Sequence, residues 1–202
     1  MKKTNKLALM LLVFSLPVLA SPDNPVIGEK APDFTLKNID GDQVSLSTNK
    51  DAKGYIVVFT SNVCPYALAW EDRIIELHKK YEKKGYPVIA INSNDPQLSP
   101  GDSYESMKKR AEEKHYPYPY LKDDAQEVFK KYGATRTPHV FVLQRTPNSD
   151  FIVKYIGTVD DNYKDASKVE EPYLSDALDA IIAGKEPDPA TTKAIGCSIK
   201  SK

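Results

Sequence analysis

The hydrophobic positions of this chain change their period in a regular order, and that order predicts alternating strands and helices. Apolar residues alternate with polar ones from Phe34 to Leu46 around Asp40-Gly41, which predicts a β-hairpin. The continuous apolar run from Tyr55 to Thr60 is typical of a strand that is buried on both faces. From Pro65 the period lengthens to three or four residues, so we expect a helix that ends at Gly85.

The second half of the chain repeats this alternation. Pro87–Asn92 reads as another buried strand, and prolines extend the segment Tyr116–Tyr120. The remaining predictions are a helix capped at Asp102 and running to about Lys114, a short helix from Asp124 to Gly133, strands at Val140–Leu143 and Phe151–Ile156, and a last helix from Pro172 to Gly184. The pattern predicts an α/β fold with a parallel core and antiparallel strands at its edge.

The two ends of the chain differ from this pattern. Lys2, Lys3 and Lys6 precede an apolar run from Leu7 to Leu16 and the sequence Val18-Leu19-Ala20, which together are typical of a secretory signal peptide. We therefore predict a signal at residues 1–20, one domain at 21–184, and a polar, helix-poor tail at 185–202. A protein cleaved after Ala20 would be periplasmic or secreted, whereas an uncleaved anchor is the alternative.

Charge narrows the classes of partner. The whole chain carries 28 basic and 28 acidic residues, and loss of the three signal lysines leaves a net charge of 0 − 3 = −3. This balance gives no indication of a nucleic-acid partner or of an anionic membrane surface. We expect no stable membrane association once the signal is removed.

The candidate chemistry starts at Cys64, which precedes the helix that begins at Pro65. Free N–H groups at a helix start favour a thiolate, although a free cysteine can also be a small core residue. The preceding Ser-Asn turn favours an exposed thiol. Arg136 could stabilise the thiolate by its charge or be merely solvated, and we expect His139 in the core.

Cys197 is the only other cysteine. It could resolve a product formed on Cys64, form a static disulfide with it, or be an unrelated thiol. A metal site would need Cys64, His139 and Cys197 together, without the closely spaced cysteine pair of copper carriers, so we expect neither a metal nor another cofactor.

Four motifs resemble the thioredoxin fold, and specifically its redoxin branch related to alkyl hydroperoxide reductases and other peroxiredoxins. They are Gly28-x-x-Ala31-Pro32-x-Phe34-x-Leu36, Cys64-Pro65-Tyr66, Thr137-Pro138 at the position of the fold's cis-proline, and Gly196-Cys197-Ser198-Ile199-Lys200, which is similar to the tail of a peroxiredoxin-like subgroup. The resemblance implies a thioredoxin-like fold with a central mixed sheet flanked by helices. It also implies that Thr137 and Pro138 lie at the site and that Cys64 attacks a peroxide or a protein disulfide. Because the sequence has no second dithiol and no visible nicotinamide site, we expect a thioredoxin-type protein to reduce the product.

Two positions depart from the family pattern. Ala67 stands where thioredoxins have their second cysteine, and Val57 stands where peroxiredoxins have a proline, although Ser61 fits the serine or threonine expected three residues before Cys64. Two alternatives to a peroxiredoxin-like enzyme therefore stay open: a monothiol disulfide reductase or isomerase, and a non-catalytic binding module on the same scaffold.

Overall fold

The computed structural model describes residues 25–202, which form a seven-stranded mixed sheet with helices on both faces. The strands are β1 (Thr35–Asn38), β2 (Gln43–Ser45), β3 (Gly54–Phe59), β4 (Val88–Asn92), β5 (Tyr120–Lys122), β6 (Arg136–Thr137), β7 (His139–Arg145), β8 (Phe151–Gly157) and β9 (Cys197–Ser198). The helices are α1 (Pro65–Glu82), α2 (Tyr104–Lys114), α3 (Val128–Tyr132) and α4 (Tyr173–Ile182), with short 3₁₀ turns at Pro100–Asp102 and Ala166–Lys168.

The order of strands in the main sheet is β2-β1-β5-β4-β3-β7-β8. Strands β3, β4 and β5 are parallel, while β1, β2, β7 and β8 pair antiparallel with their neighbours. The predicted α/β fold, with its N-terminal hairpin, parallel core and antiparallel edges, is therefore confirmed. Strands β6 and β9 form a separate two-stranded ladder.

The core has two layers, one on each face of the sheet. Ile56 and Val58 of β3 face a cluster that includes side chains of α1, α2 and α4. Val57 and Phe59 face the opposite cluster, which includes α3 and the N-terminal strands. Both faces of β3 are thus covered, which explains why this strand is apolar at successive positions.

One strand falls in a segment that the sequence predicted only as extended. Residues 120–122 pair with β4 in parallel register as β5. Pro117 and Pro119 lie before this strand, so their missing N–H groups do not interrupt the ladder. The polar Lys122 is buried in β5, so the strand lacks the apolar run by which a buried strand is predicted from sequence.

Two predicted helix caps are wrong by one residue. Ser103, rather than Asp102, caps α2 by accepting a hydrogen bond from Ser106 N. Asp123, rather than Asp124, accepts from the first N–H groups around α3, those of residues 127 and 129. In each case the capping side chain, Ser103 or Asp123, accepts hydrogen bonds from N–H groups at the helix start that the helix itself leaves unpaired.

The tail is packed against the domain along its length. Thr192 N donates to Ile156 O beside β8, and β9 pairs with β6. The predicted signal at residues 1–20 lies outside the described residues. Within residues 25–202 no helix has both the length and the apolar character that crossing a membrane requires.

Candidate active site

Cys64 lies at the start of α1, at the carboxyl end of β3. It has extended backbone angles (φ −73°, ψ 121°) as the N-cap residue, and Pro65 occupies the first turn. The preferred φ of proline fits that position, so the turn after β3 leads directly into the helix. The prediction of an exposed Cys64 is wrong: only 3% of the residue is accessible, because the tail covers it.

The tail brings the second cysteine to the first. In the β6–β9 ladder, Thr137 pairs with Cys197 and Arg136 with Ser198. The two sulfurs lie 2.8 Å apart although 133 positions separate them in the chain, and both are free thiols. The structure therefore places the two cysteines in contact, whereas the sequence suggested Cys197 as a partner only because the chain has no other cysteine.

Thr137 and Pro138 complete the floor of this site. The Thr137–Pro138 peptide bond is cis, as the resemblance implied. The carbonyl oxygen of Thr137 lies 2.9 Å from Cys64 Sγ, and the Thr137 residue is buried. Thr137 thus contacts the thiol of Cys64 and, through the ladder, the backbone of Cys197.

The two thiols have opposite pKa shifts. Burial raises the pKa of Cys64, but the neighbouring Cys197 thiol, the Thr137 side chain and the backbone N–H groups of Ala67 and Cys197 outweigh burial, so the pKa is lowered overall. Burial and the neighbouring Cys64 sulfur raise the pKa of Cys197 to about 11. Because the two shifts have opposite directions, Cys64 loses its proton before Cys197 does. While both thiols are protonated, Cys64 Sγ–H donates to Thr137 O.

The predicted cation Arg136 lies beside the tail. Its side chain is exposed, reaches Gly196 O at 3.5 Å, and lowers the pKa of Cys197 against the stronger raising effect of burial. Two other arginines are engaged elsewhere, since Arg73 pairs with Asp160 and Arg145 donates to Asn49 O. Of these three arginines, Arg136 is the one whose charge acts on Cys197.

His139 follows the cis-proline and is in the core, as expected. It packs against Phe141, and its Nδ1 accepts a hydrogen bond from Thr135 N. Burial lowers the pKa of His139 to about 4, so the ring is neutral near pH 7. Among residues 25–202, no group of three or more His, Cys, Asp or Glu side chains is arranged to hold a metal ion.

A buried polar cluster behind Cys64 was missed by the sequence reasoning. The Ser61 hydroxyl accepts hydrogen bonds from the backbone N–H groups of Val63 and Cys64, and it donates to the carboxylate of Asp102. Asp102 is fully buried. Polar residues directly after the two parallel strands β3 and β4 were the available signal, because such strand ends meet at one edge of a sheet.

Comparison with known proteins gives one family match. The model of the AhpC/TSA family matches residues 27–161. An uncharacterized conserved protein from Geobacillus kaustophilus has a solved structure that is 37% identical, with a TM-score of 0.80 over 88% of this chain and 93% of that one.

Two curated relatives have names that state an activity. Thiol-disulfide oxidoreductase ResA of Geobacillus thermodenitrificans is 27% identical over 119 residues, which are 59% of this chain and 64% of that protein. The chloroplastic peroxiredoxin Q of Populus jackii is 26% identical over 124 residues, which are 59% of this chain and 54% of that protein. The matched part of this chain therefore spans less than two thirds of either curated relative.

Proposed function

This chain belongs to the AhpC/TSA family of thioredoxin-fold proteins, as its motifs predicted, and we propose that it is a thiol-dependent oxidoreductase. In this proposal Cys64 is the attacking thiolate and Cys197 is the resolving thiol. The observation that carries it is the 2.8 Å separation of the two sulfurs together with their opposite pKa shifts. A thiolate is the nucleophilic form of cysteine, so the residue with the lowered pKa attacks first.

The favoured substrate is a hydroperoxide. The Cys64 thiolate attacks one peroxide oxygen, the O–O bond breaks, and the second oxygen leaves as an alcohol or water after taking a proton. Cys64 is then a sulfenic acid. Cys197 attacks its sulfur, the S–S bond forms, and hydroxide leaves as water with the proton of Cys197. Burial of Cys64 under the tail favours a peroxide over a protein disulfide as the substrate, because a small peroxide needs less space.

A protein disulfide is the second candidate, and the name of the ResA relative supports it. The Cys64 thiolate would form a mixed disulfide and release one substrate thiolate, and Cys197 would then release the other. Both routes end with a Cys64–Cys197 disulfide. We propose that a thioredoxin-type dithiol protein reduces it, and that the chain acts after export to the periplasm or outside the cell, on the basis of its first twenty residues.

Two assays run side by side test the proposal. Hydrogen peroxide consumption with a thioredoxin-type reductant is compared with reduction of insulin disulfides, for wild type, Cys64→Ser and Cys197→Ser. We expect peroxide turnover that Cys64→Ser abolishes and that Cys197→Ser limits to a single oxidation of Cys64. Faster insulin reduction would favour the second candidate. Undiminished activity of Cys64→Ser in both assays would refute Cys64 as the attacking thiol. Absence of activity in the wild type in both assays would refute the enzyme and favour a binding module.

A further inference from the structure

Asp102 is the centre of the buried polar cluster behind the two cysteines. It lies between β4 and α2 and is inaccessible to solvent. Each of its oxygens is approached within 3.1 Å by hydrogen-bond donors only, and no ion pair of Asp102 occurs among the described residues. The donors are Ser61 Oγ, Asn62 N and Asn92 Nδ2 at Oδ1, and Ser61 Oγ, Asn94 Nδ2 and Ser99 Oγ at Oδ2.

One side of this cluster holds the turn that carries Cys64. Asn62 N donates to Asp102 Oδ1 at 2.7 Å, and Ser61 Oγ donates to the same carboxylate. Ser61 Oγ in turn accepts from Cys64 N at 3.2 Å. The backbone of the turn is therefore fixed to Asp102 directly and through a single hydroxyl.

The other side of the cluster holds the tail that carries Cys197. Asn94 Nδ2 donates to Asp102 Oδ2 at 2.7 Å, and Asn94 Oδ1 accepts from Lys200 N at 2.8 Å. Lys200 is three residues beyond Cys197, and its carbonyl accepts from Asp95 N and Gln126 Nε2. The side-chain amide of Asn94 is thus oriented at both ends, by the carboxylate at one and by the tail at the other.

We propose that Asp102 is a positioning residue that sets the alignment of Cys64 with Cys197, by orienting the Cys64 turn through Asn62 and Ser61 and the tail through Asn94. This proposal rests on the proposed function in one respect: that function explains why the two thiols need to be aligned. Whether Asp102 produces the alignment can be measured without any substrate.

The substitution Asp102→Asn gives a sharp test, because an asparagine replaces one acceptor oxygen by an NH₂ donor. If the NH₂ takes the place of Oδ1, it faces the backbone N–H of Asn62, which cannot turn into an acceptor. If it takes the place of Oδ2, it faces Asn94 Nδ2. Asn94 must then flip and present its own NH₂ to Lys200 N. In either orientation one side of the cluster is lost.

The first readout is the equilibrium between the dithiol and the Cys64–Cys197 disulfide in glutathione buffers, which reports the effective concentration of one thiol at the other. We expect Asp102→Asn to reduce this effective concentration about tenfold or more, the equivalent of one lost hydrogen bond to a charged group. Asn94→Ala should reduce it as well, because it releases the tail from Asp102.

The second readout is the pH profile of iodoacetamide alkylation of Cys64 in a Cys197→Ala background. Without Cys197, the profile no longer depends on the alignment of the two thiols. Asn94→Ala should leave this profile unchanged, whereas Ser61→Ala should shift it, because that substitution removes the hydroxyl that meets Cys64 N. If Asp102→Asn does not fold, Asn94→Ala still tests the tail side of the cluster and Ser61→Ala still tests the side of the Cys64 turn.

The matched control is Asp160→Asn. Asp160 is also a buried carboxylate, but it accepts from Trp70, Arg73 and Asn162 and contacts neither the Cys64 turn nor the tail. An effective concentration unchanged within twofold in Asp102→Asn and Asn94→Ala would overturn the proposal. An equal loss in Asp160→Asn would also overturn it, since general destabilisation would then explain the effect. If the glutathione equilibrium behaves as expected but peroxide and insulin activities are absent, only the proposed function fails.

Discussion

Oxidation of the two cysteines should stabilise the folded protein by several kcal/mol. The Cys64–Cys197 disulfide would close a loop across 133 positions, which lowers the entropy of the unfolded chain. For a loop of this length the chain-entropy relation gives about 5 kcal/mol. The folded state has little to change, because the ladder between Thr137 and Cys197 already holds the two sulfurs in contact when both are reduced.

Urea unfolding of the reduced and the oxidised protein measures this difference. The oxidised form should have the higher midpoint and a smaller slope, since a crosslinked unfolded chain exposes less surface. Cys197→Ser is the control and should unfold at the same midpoint under both conditions. If mapping confirms the disulfide but the oxidised midpoint is equal or lower, the reduced tail does not hold the cysteines as described here.

Three further predictions concern the same site. Cys197→Ala should raise the pKa of Cys64, because it removes a thiol whose hydrogen bond lowers that pKa against the effect of burial. The pH profile of iodoacetamide alkylation measures the change. Gly196→Ala should slow closure of the disulfide, followed by thiol quenching, because its Cβ would overlap the Thr137 carbonyl. Burial lowers the pKa of His139 to about 4, so between pH 6.5 and 4 only the unfolded chain binds a proton there, and about 3 kcal/mol of stability is lost as the pH falls. Urea midpoints across this range should depend less on pH in His139→Gln.

The fold could be predicted from the sequence where one local signal determined each element. The apolar run at β3 and the three-to-four spacing in α1 predict their elements without reference to the rest of the chain. Strand β5 could not be found in this way. Its three residues include the buried Lys122, whose ammonium donates to Asn94 O, so only its neighbours make it a strand.

The candidate site divides in the same manner. Cys64 was recognisable from its place between a strand and a helix, and the Thr137-Pro138 motif from its resemblance to a family. The burial of Cys64 was not, because a tail more than a hundred residues away covers it. The local sequence around Asp102 predicted a helix cap. Its actual role could not be predicted in this way, because the donors that surround it come from three separate segments.

The most direct measurement is peptide mapping of the non-reduced protein, quenched with acid during turnover of hydrogen peroxide or insulin. The account predicts an intramolecular disulfide between the peptide that contains Cys64 and the peptide that contains Cys197, and its loss in Cys64→Ser. Turnover that continues while Cys64 stays reduced would contradict the account.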